Sequence, residues 1–295
     1  MDLVKYTKKI DTIIKKYGIP SYVKKWEKIN IPLKFNNILD NQMNNKVIQF
    51  LNNYVQSYHF HSFIIYNDNN NKSNIRKIKN KLPSFYWDKN NKIGRIKFYS
   101  YERSFNKLEE KKNRIEIVNI VKKNYDKWVK NGLSGIIIDL SKHHGGDMNP
   151  AIESLYPLLG NTSLFAFTKK KITIKQKKWV NLDNGKINYN QSYIFNDISY
   201  PCAIIISKET ASSGEIIASI FKGRSNCKFF GEHTSGYASI NDMIPLDKNL
   251  YFIFTSDLLE TIDENIITDE RIYTDIITKN PILYAKKWIN KIKYN

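Results

Sequence analysis

Gly135-Ile136-Ile137-Ile138-Asp139-Leu140-Ser141-Lys142-His143-His144-Gly145-Gly146 reads as a strand that runs into a glycine turn. Consecutive isoleucines with no polar alternation suit a strand covered on both faces, as in a parallel sheet. The paired glycines after it let the backbone adopt positive φ and approach a ligand closely. Upstream, Ile93 to Ser100 alternates apolar and polar residues and predicts a strand. Glu109 to Lys130 carries Ile115, Val118, Ile120, Val121, Tyr125, Trp128 and Val129 on one broad face, which predicts an amphipathic helix capped by Gly132.

Downstream the alternation continues. Pro150 to Leu159 predicts a helix, and residues 160–198 two or three strands around a turn at Asp183-Asn184-Gly185. Ala203 to Ile206 is a second apolar run, followed by the small-residue turn Thr210-Ala211-Ser212-Ser213-Gly214 and a helix from Glu215 to Lys222. Lys228-Phe229-Phe230 and Tyr251 to Thr255 predict strands, and Pro281 to Lys293 a last helix. Ahead of all this, residues 1–58 read as three helices: one stopped by Gly18-Ile19-Pro20, one from Pro20 to Trp26, and one from Asn41 to Tyr58. His61 to Tyr66 predicts a strand, with His59 and His61 on one face of it, and Asn67 to Lys81 an aperiodic loop. The expected class is α/β with crossovers, divided into an N-terminal helical region (1–58) and a core (59–295).

Composition narrows the function classes. The chain has 295 residues, enough for a sizeable core. Two cysteines, Cys202 and Cys227, exclude a disulfide scaffold and a CxxC zinc framework. The formal charge is +19, yet only six of the 47 basic residues are arginine, while asparagine numbers 35. That bias follows an AT-rich coding sequence and lacks the arginines that read bases, so no specific nucleic-acid partner is expected. Apolar runs are strand-length, and the lysine-broken start shows no export signal, so the expectation is a cytoplasmic protein with no membrane span.

Two strand-to-helix turns carry the chemistry. A hydroxyl at Thr210-Ala211-Ser212-Ser213-Gly214-Glu215 sits where a nucleophile is exposed and followed by N–H donors. Helix capping by serine, with Glu215 as the capping-box carboxylate, is the plain structural reading of the same residues. A serine nucleophile needs a base, and five histidines are available: His59, His61, His143, His144 and His233. Local sequence does not choose among them. Adjacent histidines point apart and no third ligand lies at metal spacing, so no metal or cofactor is expected.

These motifs together resemble the S41 family of tail-specific, C-terminal-processing peptidases. Gly135 to Gly146 is similar to that family's buried strand and Gly-Gly turn, and Thr210 to Ile217 to its nucleophile turn and helix. Gly231-Glu232-His233-Thr234-Ser235-Gly236 is similar to its Gly-Glu-x-Thr-x-Gly turn. His61-Ser62-Phe63 resembles the upstream motif of the Ser/His branch. Many members place a catalytic lysine just after the third turn; here that position is Tyr237. The resemblance is therefore closest to the Ser/His, nisin-resistance-protein-like branch. It implies a ClpP/crotonase-like core with no PDZ domain, since only residues 62–92 lie where relatives carry one.

What the resemblance implies for mechanism is a serine peptidase acting on peptides or proteins near their C-terminus. Ser212 would be the nucleophile and His61 the base, with an oxyanion hole of N–H groups from Gly145, Gly146 and Ser213. No orienting partner for His61 is identifiable in the sequence. The alternatives are a catalytically inactive, peptide-binding relative, with Tyr237 as its mark, and an acyl-CoA enzyme of the crotonase type. The serine turn and the Gly-Glu-x-Thr-x-Gly turn argue against the second.

Overall fold

The computed structural model describes residues 3–26, 43–66, 80–104, 106–168, 178–190, 192–267 and 271–293. The loop expected at Asn67 to Lys81 lies almost wholly outside them. Packing divides the chain into two units. One comprises residues 1–77, 169–172 and 239–258; the other comprises 78–168, 173–238 and 259–295.

In the first unit the helical start is three helices: α1 (Leu3–Tyr17), α2 (Pro20–Trp26) and α3 (Met43–Tyr58). The next strand, β1 (Phe63–Tyr66), begins two residues later than the sequence suggests. The segment from His59 to Ser62 is a turn rather than a strand, closed by the Ser62 N–H on the His59 carbonyl at 2.9 Å. The α3 helix therefore reverses directly into β1.

The second unit opens with β2 (Ser84–Asp88), β3 (Ile93–Lys97), α4 (Lys107–Lys130) and β4 (Gly135–Asp139). The helix expected over 150–159 is split into α5 (Asn149–Ser154) and α6 (Tyr156–Leu159). An antiparallel meander follows, β5 (Thr162–Thr168), β6 (Lys178–Asp183) and β7 (Lys186–Asn190). Its two-residue turn has Asn184 at φ 48° and Gly185 at φ 73°, as an Asn-Gly hairpin requires. Then come β8 (Cys202–Ile206), α7 (Ser213–Ser219) and β9 (Cys227–Gly231).

Two long strands follow. β10 (Ser239–Asp247) and β11 (Leu250–Glu260) pair antiparallel, and β1 pairs the other edge of β11. These three strands and α1–α3 bury Ile10, Ile14, Leu51, Val55, Tyr58, Phe252 and Phe254 as the core of the first unit. The last two residues of β11 belong to the second unit, where they pair β12 (Ile266–Ile267). The chain ends with β13 (Ile276–Ile277) and α8 (Pro281–Lys293).

The principal sheet of the second unit has the order β13-β9-β8-β4-β3-β2. It is parallel except for the β2–β3 hairpin. Ile136, Ile137 and Ile138 in β4 and Ile204 to Ile206 in β8 are buried, which is why both runs lack polar alternation. Helix α4 covers one face through Trp128, and α8 the other through Ala285 and Ile289. This places the carboxyl ends of β4 and β8 side by side, where ligand sites form in such sheets. Among the described residues no helix is long and apolar enough to cross a membrane.

Candidate active site

The turn after β4 is built by Asp139, whose Oδ1 accepts the Ser141 N–H at 3.1 Å and the Ser141 hydroxyl at 2.6 Å. Gly145 and Gly146 follow at φ +125° and +106°. A Cβ on Gly146 would lie 2.0 Å from the Tyr101 carbonyl oxygen. That oxygen is fixed, since it accepts the Asp147 N–H at 2.8 Å. Gly146→Ala is therefore expected to destabilise the protein by at least about 2 kcal/mol, from overpacking and unfavourable φ together. A thermal or urea unfolding comparison measures it.

The turn after β8 is joined to the first by backbone. The Ala211 N–H reaches the His143 carbonyl at 3.0 Å, and the Thr210 hydroxyl reaches the Leu140 carbonyl at 3.0 Å. Ser212 comes next, at φ 52° and ψ −120°, a conformation that costs a non-glycine residue about 1–3 kcal/mol. Ser212 and Glu215 form a capping box at the start of α7. The N–H groups of Glu215 and Ile216 go to the Ser212 carbonyl oxygen, at 2.8 and 3.1 Å.

Glu215 holds this conformation. Its Oε2 accepts the N–H of Ser212 at 2.9 Å and of Tyr237 at 2.7 Å; its Oε1 accepts the N–H of Gly236 at 2.8 Å. The Ser235 N–H adds a bond to the Thr210 carbonyl at 3.0 Å. The carboxylate is fully buried, and burial pushes its pKa up against the lowering effect of these N–H donors and the Thr234 hydroxyl. The role expected from sequence, a capping carboxylate, is thus one third of what Glu215 does. It ties the serine turn to the Gly231–Gly236 turn.

The two glycine-bearing turns meet at Ser212. A Cβ on Gly145 would stand 3.1 Å from Ser212 Cβ and 3.6 Å from its Oγ. Among the described residues no acceptor takes the N–H groups of Gly145, Gly146 or Ser213. The second unit therefore brings together a partly exposed serine hydroxyl, a glycine pair and three uncommitted N–H donors. Such a set can accept negative charge on an oxygen beside the hydroxyl.

The histidines separate by environment. His143 is buried beneath α7, and burial pushes its pKa down to about 4, so the ring is neutral at physiological pH. His144 is exposed, with Nδ1 3.0 Å from the Glu209 carbonyl. The ring of His233 accepts the Thr274 N–H at 3.2 Å. His59 stacks on Tyr22, with ring centroids 4.7 Å apart, and its Nδ1 accepts the His61 N–H at 3.2 Å. His61, in the first unit, is buried and has Nδ1 2.8 Å from the Ser239 hydroxyl. Ser239 escapes sequence reasoning because it lies 178 positions from His61, on a strand without a strand-like pattern. Tyr237 is exposed, and its backbone N–H goes to Glu215 Oε2.

An α/β sheet with a strained serine at a strand-to-helix turn, facing a glycine pair, is the arrangement of a serine hydrolase. Residues 92–278, more than half of the chain, match Peptidase family S41. The chain belongs to this family, which is a family of serine peptidases. The nisin-resistance protein of Lactococcus lactis subsp. lactis is 35% identical over 165 residues, which make up 54% of this chain and 51% of that protein. The match thus spans about half the length of that curated relative. Among solved structures, a lipoprotein from Streptococcus agalactiae has the same fold with a TM-score of 0.72 at 22% identity, over 99% of this chain and 97% of that one. A Parabacteroides merdae protein gives a TM-score of 0.55 at 11% identity, over 97% and 93% of the two chains.

Proposed function

We propose that this protein is a serine-type peptidase that hydrolyses peptide bonds near the C-terminus of a peptide or protein, with Ser212 as nucleophile and His61 as base. The observation that carries the reading is the strained Ser212, clamped by Glu215 against Gly145. Strain held by a buried carboxylate has no role in a plain helix cap. His61 Nε2 takes the Oγ proton as Oγ bonds to the scissile carbonyl carbon. The carbonyl oxygen becomes an oxyanion received by the N–H groups of Gly145, Gly146 and Ser213. Collapse breaks the C–N bond, and the imidazolium returns the proton to the leaving amine. Water repeats the cycle on the acyl-enzyme.

Incubation with a library of free-carboxylate peptides, read by mass spectrometry, tests this reading. The expected result is internal cleavage near the carboxyl end that is absent with Ser212→Ala and with His61→Ala. Binding without cleavage by the folded wild type would favour the peptide-binding, inactive relative. Tyr237→Phe separates His61 from the tyrosine as base. Phenylalanine keeps the backbone N–H that Glu215 uses, so kcat/KM is expected to stay within about threefold of wild type. A loss as large as that of Ser212→Ala would reject the histidine as base.

A further inference from the structure

Histidine is a base only when its accepting nitrogen is unprotonated and aimed, and the group at the other ring nitrogen sets both. Around His61 that group is a serine. Ser239 Oγ lies 2.8 Å from His61 Nδ1, and the two residues are only 2% and 8% exposed. We propose that Ser239 is the positioning residue of His61, holding the ring so that Nδ1 carries the proton and Nε2 the lone pair. This rests on the reading of His61 as the base.

Three further observations make the contact a built one. First, Ser239 opens β10 in register with Leu258 of β11, so its Cβ direction is set by the sheet. Second, the His61 backbone is held at both ends. Its N–H goes to His59 Nδ1 at 3.2 Å, and its carbonyl accepts Asn241 Nδ2 at 3.2 Å. Third, Asn241 is itself fixed. Its Oδ1 accepts the Thr255 hydroxyl at 2.8 Å, while the Ser62 hydroxyl donates to Thr255 Oγ1 at 3.2 Å and accepts the Thr255 N–H at 3.1 Å. Residues 61 and 62 are thus locked onto β10 and β11, and Ser239 completes the lock at the ring.

A hydroxyl accepts from Nδ1–H without bringing a charge, so it orients the imidazole and fixes its tautomer but does not stabilise the imidazolium as a carboxylate does. Its removal is expected to lower kcat roughly ten- to a hundredfold with KM nearly unchanged, a part of what general-base catalysis supplies. Ser239→Thr keeps the hydroxyl on a strand position and is expected to restore most of kcat.

The test pairs kinetics with ring spectroscopy on the full chain, using wild type, Ser239→Ala, Ser239→Thr, His61→Ala and Ser212→Ala, with melting curves to confirm folding. The kinetic probe is the second-order rate of labelling by a fluorophosphonate, together with kcat and KM on any peptide the wild type cleaves. Slow labelling in Ser239→Ala, rescue in Ser239→Thr and silence in His61→Ala support the inference. Wild-type rates in Ser239→Ala, with His61→Ala silent, would overturn it while leaving the Ser/His reading intact. Nitrogen-15 spectra of labelled histidine, assigned with His61→Ala, read the tautomer directly. A His61 ring protonated at Nδ1 in wild type, and redistributed in Ser239→Ala, is expected. A ring protonated at Nε2 in neutral wild type would overturn the inference by itself. If the tautomer is as expected but the wild type neither labels nor cleaves, it is the function reading that fails.

Discussion

Ser212→Ala is expected to lower kcat/KM for peptide cleavage by roughly 10⁴–10⁶-fold while leaving the melting temperature almost unchanged. The first half follows from chemistry. The Ser212 Oγ is the side-chain oxygen placed against Gly145, and residual activity would come from binding and from the N–H donors. The second half follows from the bonds around the residue. Ser212 contributes its backbone N–H to Glu215 and its carbonyl to the N–H groups of Glu215 and Ile216, and alanine keeps all of these, losing only the hydroxyl's share of the capping box. Alanine is no better suited than serine to φ 52°, so the backbone strain is the same in both proteins. A variant that lost activity and stability together would point to a serine whose work is structural.

Glu215→Gln is expected to cost both. The carboxylate presents two acceptor oxygens to three N–H groups, and no donor faces another donor. An amide cannot reproduce this. With its oxygen toward Ser212 and Tyr237, its NH₂ meets the Gly236 N–H; with the amide reversed, it meets two N–H groups. A buried donor without an acceptor costs about 1–3 kcal/mol, so unfolding should show a loss of that size. Release of the Ser212 N–H lets the turn relax toward ordinary φ, and labelling at Ser212 should slow by roughly a hundredfold.

The buried carboxylate also gives a sign for pH. Its pKa is raised, so the folded chain binds this proton more tightly than the unfolded chain does. The contribution to folding is greatest below the unfolded pKa and is lost as pH rises through the folded one. The clamp needs the opposite state, because a protonated carboxyl loses an acceptor. Activity should therefore fall, on acidification, at a pH above the ordinary glutamate range while the fold persists. Circular dichroism across the same range checks that the loss is local.

The parts of this site that lie within one turn were legible in the sequence. Ile136 to Ile138 and the run ending at Ile206 are apolar on both faces because both strands are buried in the middle of a sheet, so pattern and position agree. Asn184-Gly185 and the helix from Pro281 were legible for similar local reasons. The missed strands carry weaker signals. β2 sits at the end of its sheet and has no face that is consistently buried, so Ser84 to Asp88 shows no alternation. β10 holds Asn241, Asp242 and Pro245, residues that argue against a strand, and Pro245 sits where its register with β11 slips. Because β10 was not seen, neither was the Ser239 hydroxyl at His61. The triple grip of Glu215 was hidden for the same reason, since two of its three donors come from a turn some twenty residues away.

The most direct measurement is the intact mass of the protein after incubation with a fluorophosphonate, on wild type, Ser212→Ala and His61→Ala. An activated serine with a histidine base predicts a single adduct on the wild type, mapped to Ser212 and absent from both variants. No adduct on folded wild type, or an adduct that persists in Ser212→Ala, would contradict the account.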